Sequence, residues 1–539
     1  MKKTLGLGVA LALGAGLATL AACSSDDPGG APKPPAGDAG PAPEASAPSL
    51  AIAPGDSSVA TCRSLTFKAT PSDGVAWSLV GEGKLDAGKY DAPLKVPSPA
   101  KATVTASRSG ATASSLVTLA TAFPGPQVDV PRAKNDAGPM STGRLVVARG
   151  SRAYAVSSTN VKPYEVRLAR SNDGGATWDP NTTLIASHDG DALLTATSAA
   201  IDPANPDVVH VAVRADAGGG AISTIAEIGN AGAGSLLVLA TSTDGGAKFT
   251  QRTLYSGGNG DVAAPDVAAP APGAVVVSAP TSWIDTTSGD QGGSVLVWSD
   301  STGGAGFGAL VALDTGYAPR WSAGKEIRLP KGNYVDASGI RLGGSGGGAV
   351  CLLAHRTVLT DPDAGADEVA CSSDGGKTFG AFVTALSGGS NALDHGAIAV
   401  GKDASLVAVV THARDSAVDA LGRSKLVVST DGGKTFGAPV VLADFVGADT
   451  VRRSVEADDV LVDDDGVIWL VRTVDRSGVQ IDKSCDKGKT LSGALLLERP
   501  GSTFTPRLFA SSAGVFLSQH RAGSGGRGDV TSVQRVLGP

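Results

Sequence analysis

The sequence has no cluster of Lys and Arg, and its formal net charge is -7, so nucleic acid is not an expected partner. After residue 20 it has no apolar run approaching the roughly 20 residues that a membrane-spanning helix needs. Few stretches carry the 3.6-residue period of an amphipathic helix, which argues against a helical fold. Cysteine is scarce: five in 539 residues cannot form a disulfide scaffold. The histidines (His188, His210, His355, His395, His412, His520) stand at none of the spacings that hold a metal ion, so neither metal nor cofactor is expected. Tyrosine ends at Tyr334. What the chain has instead is glycine, 73 residues of it, among short runs rich in Val, Ala, Ser and Thr. That composition points to an all-β protein full of turns.

The first residues carry an address. Met1-Lys2-Lys3 is basic, Leu5 to Leu20 is apolar, and Leu20-Ala21-Ala22-Cys23 follows. A basic start, a short apolar run and small residues before a cut describe a secretory signal over residues 1–22. The Leu-Ala-Ala-Cys tetrad resembles the lipobox of bacterial lipoproteins. The resemblance implies cleavage before Cys23 and acyl chains on that residue, which would anchor the protein at about 0.8 kcal/mol per buried CH2. Ser24 in place of Asp resembles outer-membrane sorting. The expected setting is therefore the cell envelope, with the membrane as a partner through the lipid.

Residues 23–48 are mostly Ser, Asp, Pro, Gly and Ala, which cannot build a core and suit a disordered tether. Residues 49–122 read as a small β-sandwich, with alternating runs such as Ser64-Leu65-Thr66-Phe67-Lys68-Ala69 and Ala102-Thr103-Val104-Thr105-Ala106. Val75-Ala76-Trp77-Ser78-Leu79 and the later Tyr90-Asp91-Ala92-Pro93 resemble bacterial immunoglobulin-like domains. Cys62 is the single cysteine of this region, so the inter-sheet disulfide of antibody domains is missing. Such modules commonly act as spacers. Farther on, Cys351 and Cys371 lie on two expected strands that flank the turn Asp361-Pro362-Asp363-Ala364-Gly365, with their midpoint at its first residue. They are read either as a cross-strand disulfide or as two buried thiols.

Residues 123–539 contain an internal repeat. Ser171-Asn172-Asp173-Gly174-Gly175-Ala176-Thr177-Trp178 returns as Ser242-Thr243-Asp244-Gly245-Gly246-Ala247-Lys248-Phe249. It returns again as Ser372-Ser373-Asp374-Gly375-Gly376-Lys377-Thr378-Phe379 and Ser429-Thr430-Asp431-Gly432-Gly433-Lys434-Thr435-Phe436. Two copies are degenerate: the one centred on Asp486 ends in Leu491, and the one beginning at Asp300 has Thr302 at the Asp position. Positions 173, 244, 302, 374, 431 and 486 are separated by 71, 58, 72, 57 and 55 residues, a spacing of one supersecondary unit per copy.

The pattern resembles the Asp-box, or bacterial neuraminidase repeat. Its aspartates (Asp173, Asp244, Asp374, Asp431, Asp486) are structural: a carboxylate accepts backbone N–H groups inside a tight turn, and glycine permits positive φ where the chain reverses. In that family the box joins the third and fourth strands of a four-stranded unit, and such units assemble into a β-propeller. Six copies suggest six blades. Pro506–Phe509, Val515–Ser518 and Val530–Val533, with Pro126–Val130 as a fourth strand, would make a seventh and shut the ring, and the seven-bladed form is slightly preferred.

Sialidases, the enzyme family with this repeat, hold a sugar carboxylate with an Arg triad and use a late-blade Tyr as nucleophile. The resemblance does not extend to those residues. Arg328-Leu329-Pro330 is the nearest string to the family's Arg-Ile-Pro and lies between the third and fourth copies. No tyrosine follows Tyr334. Arg328, Arg341, Arg356 and Arg452 are the arginines available to an axial site. Asp463-Asp464-Asp465-Gly466 reads as a hairpin turn, not a calcium loop, and Arg527-Gly528-Asp529 as a chance tripeptide. No catalytic residue is assigned. The expected function is non-catalytic binding of a protein or glycan partner by an exported lipoprotein. The alternative is a sialidase-like glycoside hydrolase or lyase working at the central funnel.

Overall fold

The computed structural model describes residues 49–537 except 131–135, 138–144, 160–163, 181, 187–191, 218–233, 257–260, 263–264, 285–290, 303–305, 307–310, 314–320, 323–324, 327–332, 336–340, 359–365, 388–395, 416–418, 443–456, 475–477, 499–502 and 522–529. Cys23, the signal segment and the tether therefore lie outside the described residues, as do Arg328, Arg452 and the 527–529 tripeptide. Among the described residues every regular element is a strand, and no helix is long and apolar enough to cross a membrane.

The N-terminal part of the folded unit is a sandwich. One sheet orders Ser57–Ala60, Ala111–Ala120, Lys101–Arg108 and Ala76–Val80, and the facing sheet orders Ser64–Thr66, Lys89–Asp91 and Lys84–Asp86. The period-two alternation read in Lys101–Arg108 directs Ala102, Val104 and Ala106 inward. They meet Val59, Phe67, Tyr90, Val117 and Leu119. Tyr90 is fully buried, and its hydroxyl donates to Glu82 O at 2.7 Å. Trp77 packs on this core half-buried.

The remainder is a β-propeller. Among the described residues, seven antiparallel sheets of four or five strands succeed one another, each a meander from an inner to an outer strand, with a two-stranded ribbon of Trp321–Ser322 and Lys325–Glu326 in addition. The inner strands are Val146–Arg149, Ala192–Ile201, Asp266–Ala268, Arg341–Gly344, Ala397–Val400, Ala457–Val462 and Thr503–Ser511. Each touches the next, and the last touches the first. The seventh sheet runs Thr503–Ser511, Gly514–Arg521 and Val530–Leu537 and takes its outer strand from the other end of the domain: Gln127–Asp129 pairs with Ser532–Gln534. Closure of this kind leaves no long exposed sheet edge.

The core lies between sheets. Val156, Val166 and Leu168 of the first sheet pack with Val209, Val211 and Val238 of the second. Equivalent layers of Val, Ala and Leu separate the later pairs. Small branched side chains suit strands covered on both faces. The composition rich in valine and alanine thus reflects seven thin layers in place of one large core.

Candidate functional site

In an antiparallel meander the turns joining strands one to two and three to four emerge at one end of the ring, and the other connections emerge at the opposite end. The Asp-boxes all occupy the first end, between strands three and four. In the first box Ser171 Oγ donates to Asp173 Oδ1 at 2.8 Å, and Thr177 N and Oγ1 donate to the same carboxylate at 2.8 and 2.6 Å. Gly175 N donates back to Ser171 Oγ at 2.8 Å. The boxes of Asp374, Asp431 and Asp486 repeat this network nearly atom for atom, and Asp244 repeats it without the threonine hydroxyl. At Asp374 burial opposes ionisation, but the bonds from Thr378, Ser372 and Lys377 outweigh it and hold the carboxyl at about 2. At Asp431 the Thr435 hydroxyl contributes most to a still lower value.

The copy with Thr302 keeps the network by transposition. Asp300 stands where serine stands elsewhere, and its carboxylate accepts Thr302 N and Oγ1 at 2.8 and 2.6 Å and Gly306 N at 3.0 Å. The paired glycines divide the work. The first adopts φ between 73° and 78° in the four strong copies, where an L side chain is strained. The second faces the preceding sheet: a Cβ on Gly246, Gly376, Gly433 or Gly488 would collide with Leu168, Val276, Cys371 or Val428. Each box therefore fastens its own hairpin and seats it against its neighbour.

The Asp-box end is also where the sandwich sits. Cys62 forms a disulfide with Cys485 of the last box. Arg63 Nη2 donates to Asp463 Oδ2 at 2.5 Å and its other arm pairs with Asp465. Both carboxylates belong to the 463–466 segment, which forms the tight turn between two strands: Val467 N donates to Asp463 Oδ1 and Gly466 N to Asp463 O. Lys483 is buried; its ammonium donates to Thr61 O at 2.8 Å and Thr121 O at 2.5 Å and lies 5.0 Å from the Trp469 ring centroid. Burial, with Arg63 adding and Asp463 opposing, lowers this amine to about 7. The sequence leaves the state of Cys62 and Cys485 open, because no local pattern links residues 423 positions apart. The module expected as a spacer is fixed to the propeller.

Along the axis at this end lies a cavity of about 230 Å3 lined by all seven inner strands. Its buried carboxylates Asp266 and Asp459 already accept hydrogen bonds from the protein. Asp266 accepts Ser198 Oγ at 2.5 Å, Val267 N at 2.9 Å and Leu342 N at 2.8 Å, which ties three neighbouring sheets together. Asp459 accepts Leu508 N at 2.8 Å across the junction of the sixth and seventh sheets. Ligand pockets commonly measure roughly 300–1000 Å3, so this space is too small for a saccharide of several rings. It is the packed centre of the ring.

Elsewhere the sequence-selected residues are dispersed. Cys351 and Cys371 are direct cross-strand partners and form a disulfide, with Cα atoms 4.0 Å apart. His355 Nδ1 lies 3.1 Å from Asp367, which also accepts Thr411 Oγ1 at 2.5 Å, binding the fourth sheet to the fifth. His210 is buried beside Thr241 and pushed by burial down to about 4. Arg341 and Arg356 lie on strands of the fourth sheet, with side chains outside the described set. Among the described residues no group of three or more His, Cys, Asp or Glu side chains is placed to hold a metal ion.

No protein-family model matches this chain, and no curated protein sequence matches it. Among solved structures it is similar to a PL25 ulvan lyase bound to -[GlcA(1-4)Rha3S]-, at 11% identity and a TM-score of 0.47, covering 77% of this chain and 96% of that one. It is similar to the polysaccharide lyase Uly1, at 11% identity and a TM-score of 0.46, covering 76% and 92%. It is also similar to Trypanosoma rangeli sialidase in complex with 2,3-difluorosialic acid, at 12% identity and a TM-score of 0.40, covering 77% and 59%.

Proposed function

We propose that this protein is an exported, lipid-tethered propeller of seven blades that acts on an extracellular acidic polysaccharide at the end of the axis opposite the Asp-boxes. The contrast between the two ends supports this reading. At the Asp-box end two of the inner strands turn back at once, from Arg149 to Arg152 and from Ser511 to Gly514, the other five turn back within eight positions, and the sandwich covers part of the face. At the other end the strand ending at Ala217 is followed in the sequence by one beginning only at Gly234, and the strand ending at Val441 by one beginning only at Ala457. Long connections on a rigid scaffold are where function concentrates. The sequence between Leu313 and Arg341 carries Tyr317 and Tyr334, with Arg320, Lys325, Arg328 and Lys331 set against Asp314, Glu326 and Asp336, a tyrosine-bearing segment with a slight positive surplus in an acidic protein. Arginine pairs with sugar carboxylates, and tyrosine can transfer a proton next to them. The fold neighbours bear the names of a polysaccharide lyase and a sialidase, and the proposal assigns this chain the same broad class of polymer.

The test is a screen of the purified ectodomain against uronate-containing and sulfated polysaccharides, with fluorogenic sialosides in parallel. Lyase action raises ultraviolet absorbance at new unsaturated ends, and hydrolysis raises reducing ends alone. Turnover of an acidic polymer is expected. Binding without turnover would favour the second reading, a non-catalytic glycan receptor, which the lack of any tyrosine after Tyr334 supports against a sialidase mechanism. The absence of both binding and turnover would overturn the glycan reading. The anchor at Cys23 is tested separately by metabolic labelling with an alkyne fatty acid, where the Cys23→Ser variant should take up no label.

A further inference from the structure

A second cavity, of about 730 Å3, lies between the sandwich and the Asp-box end of the propeller. It is more than three times the volume of the axial space and falls within the range of ligand pockets. Its walls come from several separate parts of the chain: Ser58 to Leu65 of the sandwich, the turn at Asp463–Asp465, the turn at Ser511–Gly514, and the strands that carry Arg149 and Arg535. These parts are held in place by the Cys62–Cys485 disulfide and by Arg63 between Asp463 and Asp465. Walls fixed in advance lower the ordering cost of binding.

The charge balance inside the groove is uneven once its internal pairs are removed. Arg63 lies between Asp463 and Asp465 and offsets one of their two charges, and Asp464 faces Lys402 at 3.8 Å, so the arginines left over outnumber the carboxylate charge left over by one. Two arginines remain. Arg149 uses Nε on Pro203 O at 3.2 Å, and among the described residues no carboxylate pairs with it or with Arg535. A guanidinium presents parallel N–H donors in a fork that fits a carboxylate or sulfate. Both side chains are exposed, so they meet a ligand without first breaking an ion pair.

We propose that this groove is a binding site for a short acidic oligosaccharide, whose carboxylate or sulfate oxyanions pair with Arg149 and Arg535. The site lies at the end of the propeller opposite the one assigned to turnover above; that its oxyanions belong to a saccharide rests on the proposed function, whereas binding in this groove is scored apart from turnover.

The test is calorimetric titration of the full ectodomain with tetragalacturonate and with a sulfated tetrasaccharide, using neutral maltotetraose as control. Binding of an acidic probe that weakens with added salt is expected, and the probe that binds tighter identifies the preferred oxyanion. The Arg149→Ala/Arg535→Ala variant should lose at least about tenfold in affinity, as removal of two charge-assisted pairs implies. Its melting temperature and any polysaccharide turnover should be unchanged. The Arg149→Lys/Arg535→Lys variant keeps the charge and guards against misfolding; it should bind at an intermediate level. Equal binding of maltotetraose, undiminished binding by the alanine variant, or no binding of either acidic probe would each overturn the proposal, whatever the outcome for turnover.

Discussion

Cys62 and Cys485 are 423 positions apart in the chain, yet their Cα atoms lie 5.8 Å apart and their sulfurs are bonded. The bond joins the sandwich to the degenerate last Asp-box, and its neighbours on both sides, Arg63 and Lys483, extend the same contact. This junction and the boxes themselves give four expectations.

Removing the disulfide should loosen the sandwich without opening the ring, since the seventh sheet is closed by hydrogen bonds and not by this bond. For the Cys62→Ser/Cys485→Ser variant a loss of about 2–4 kcal/mol is expected. Limited proteolysis should cut near Ala122–Pro126 in the variant first. Protease resistance equal to the wild type would mean that the ion pairs alone hold the junction.

The box aspartates should make the fold sensitive to acid. Asp374 is held at about 2 in the folded protein, below its unfolded value near 4. A depressed carboxylate stabilises the fold at pH above the unfolded value, and that contribution fades as pH falls from about 4 towards about 2. Asp374→Asn should therefore show a flatter loss of melting temperature over that interval. Parallel curves for variant and wild type would remove this aspartate from the account.

Lys483 should act in the opposite range. Its amine is lowered to about 7 by burial, so above that pH the unfolded chain holds a proton that the folded one has lost. Stability then rises from about pH 7 towards about pH 10. Melting curves of Lys483→Met should lack this rise, although the variant is less stable overall because Thr61 O and Thr121 O lose their donor. A rise of the same size in the variant would assign it to another group.

Gly376→Ala tests the seating of one blade on the next. The residue has a φ of 87°, and a new Cβ would meet Val276 of the preceding sheet. Backbone strain plus overpacking should cost about 2–4 kcal/mol. Gly375→Ala meets only Ala274 at 3.7 Å, so strain alone should cost about 1–2 kcal/mol. Equal losses for the two would show that the contact with Val276 does not matter.

Much of the propeller is visible in the sequence because each Asp-box is local. Asp173 finds Ser171 and Thr177 within four positions, so eight consecutive residues contain the whole device. The copy at Asp300 was harder to read because the carboxylate had moved two positions to the serine site while making the same kind of bonds. Six boxes for seven sheets follows from the closure. The third and fourth strands of the seventh sheet, Val530–Leu537 and Gln127–Asp129, come from opposite ends of the domain, so no turn joins them and none needs a box.

The strands, their alternation and the reversals are legible residue by residue, since these depend on side chains only a few positions apart. Packing of the closed ring is what makes the second glycine of a box accept the preceding sheet and turns Asp266 and Asp459 into clips between sheets. The same packing bolts the sandwich to the propeller through Cys62, Arg63 and Lys483. Those contacts pair residues from remote parts of the chain, and the partner of each is chosen by where the ring closes, which no local pattern encodes.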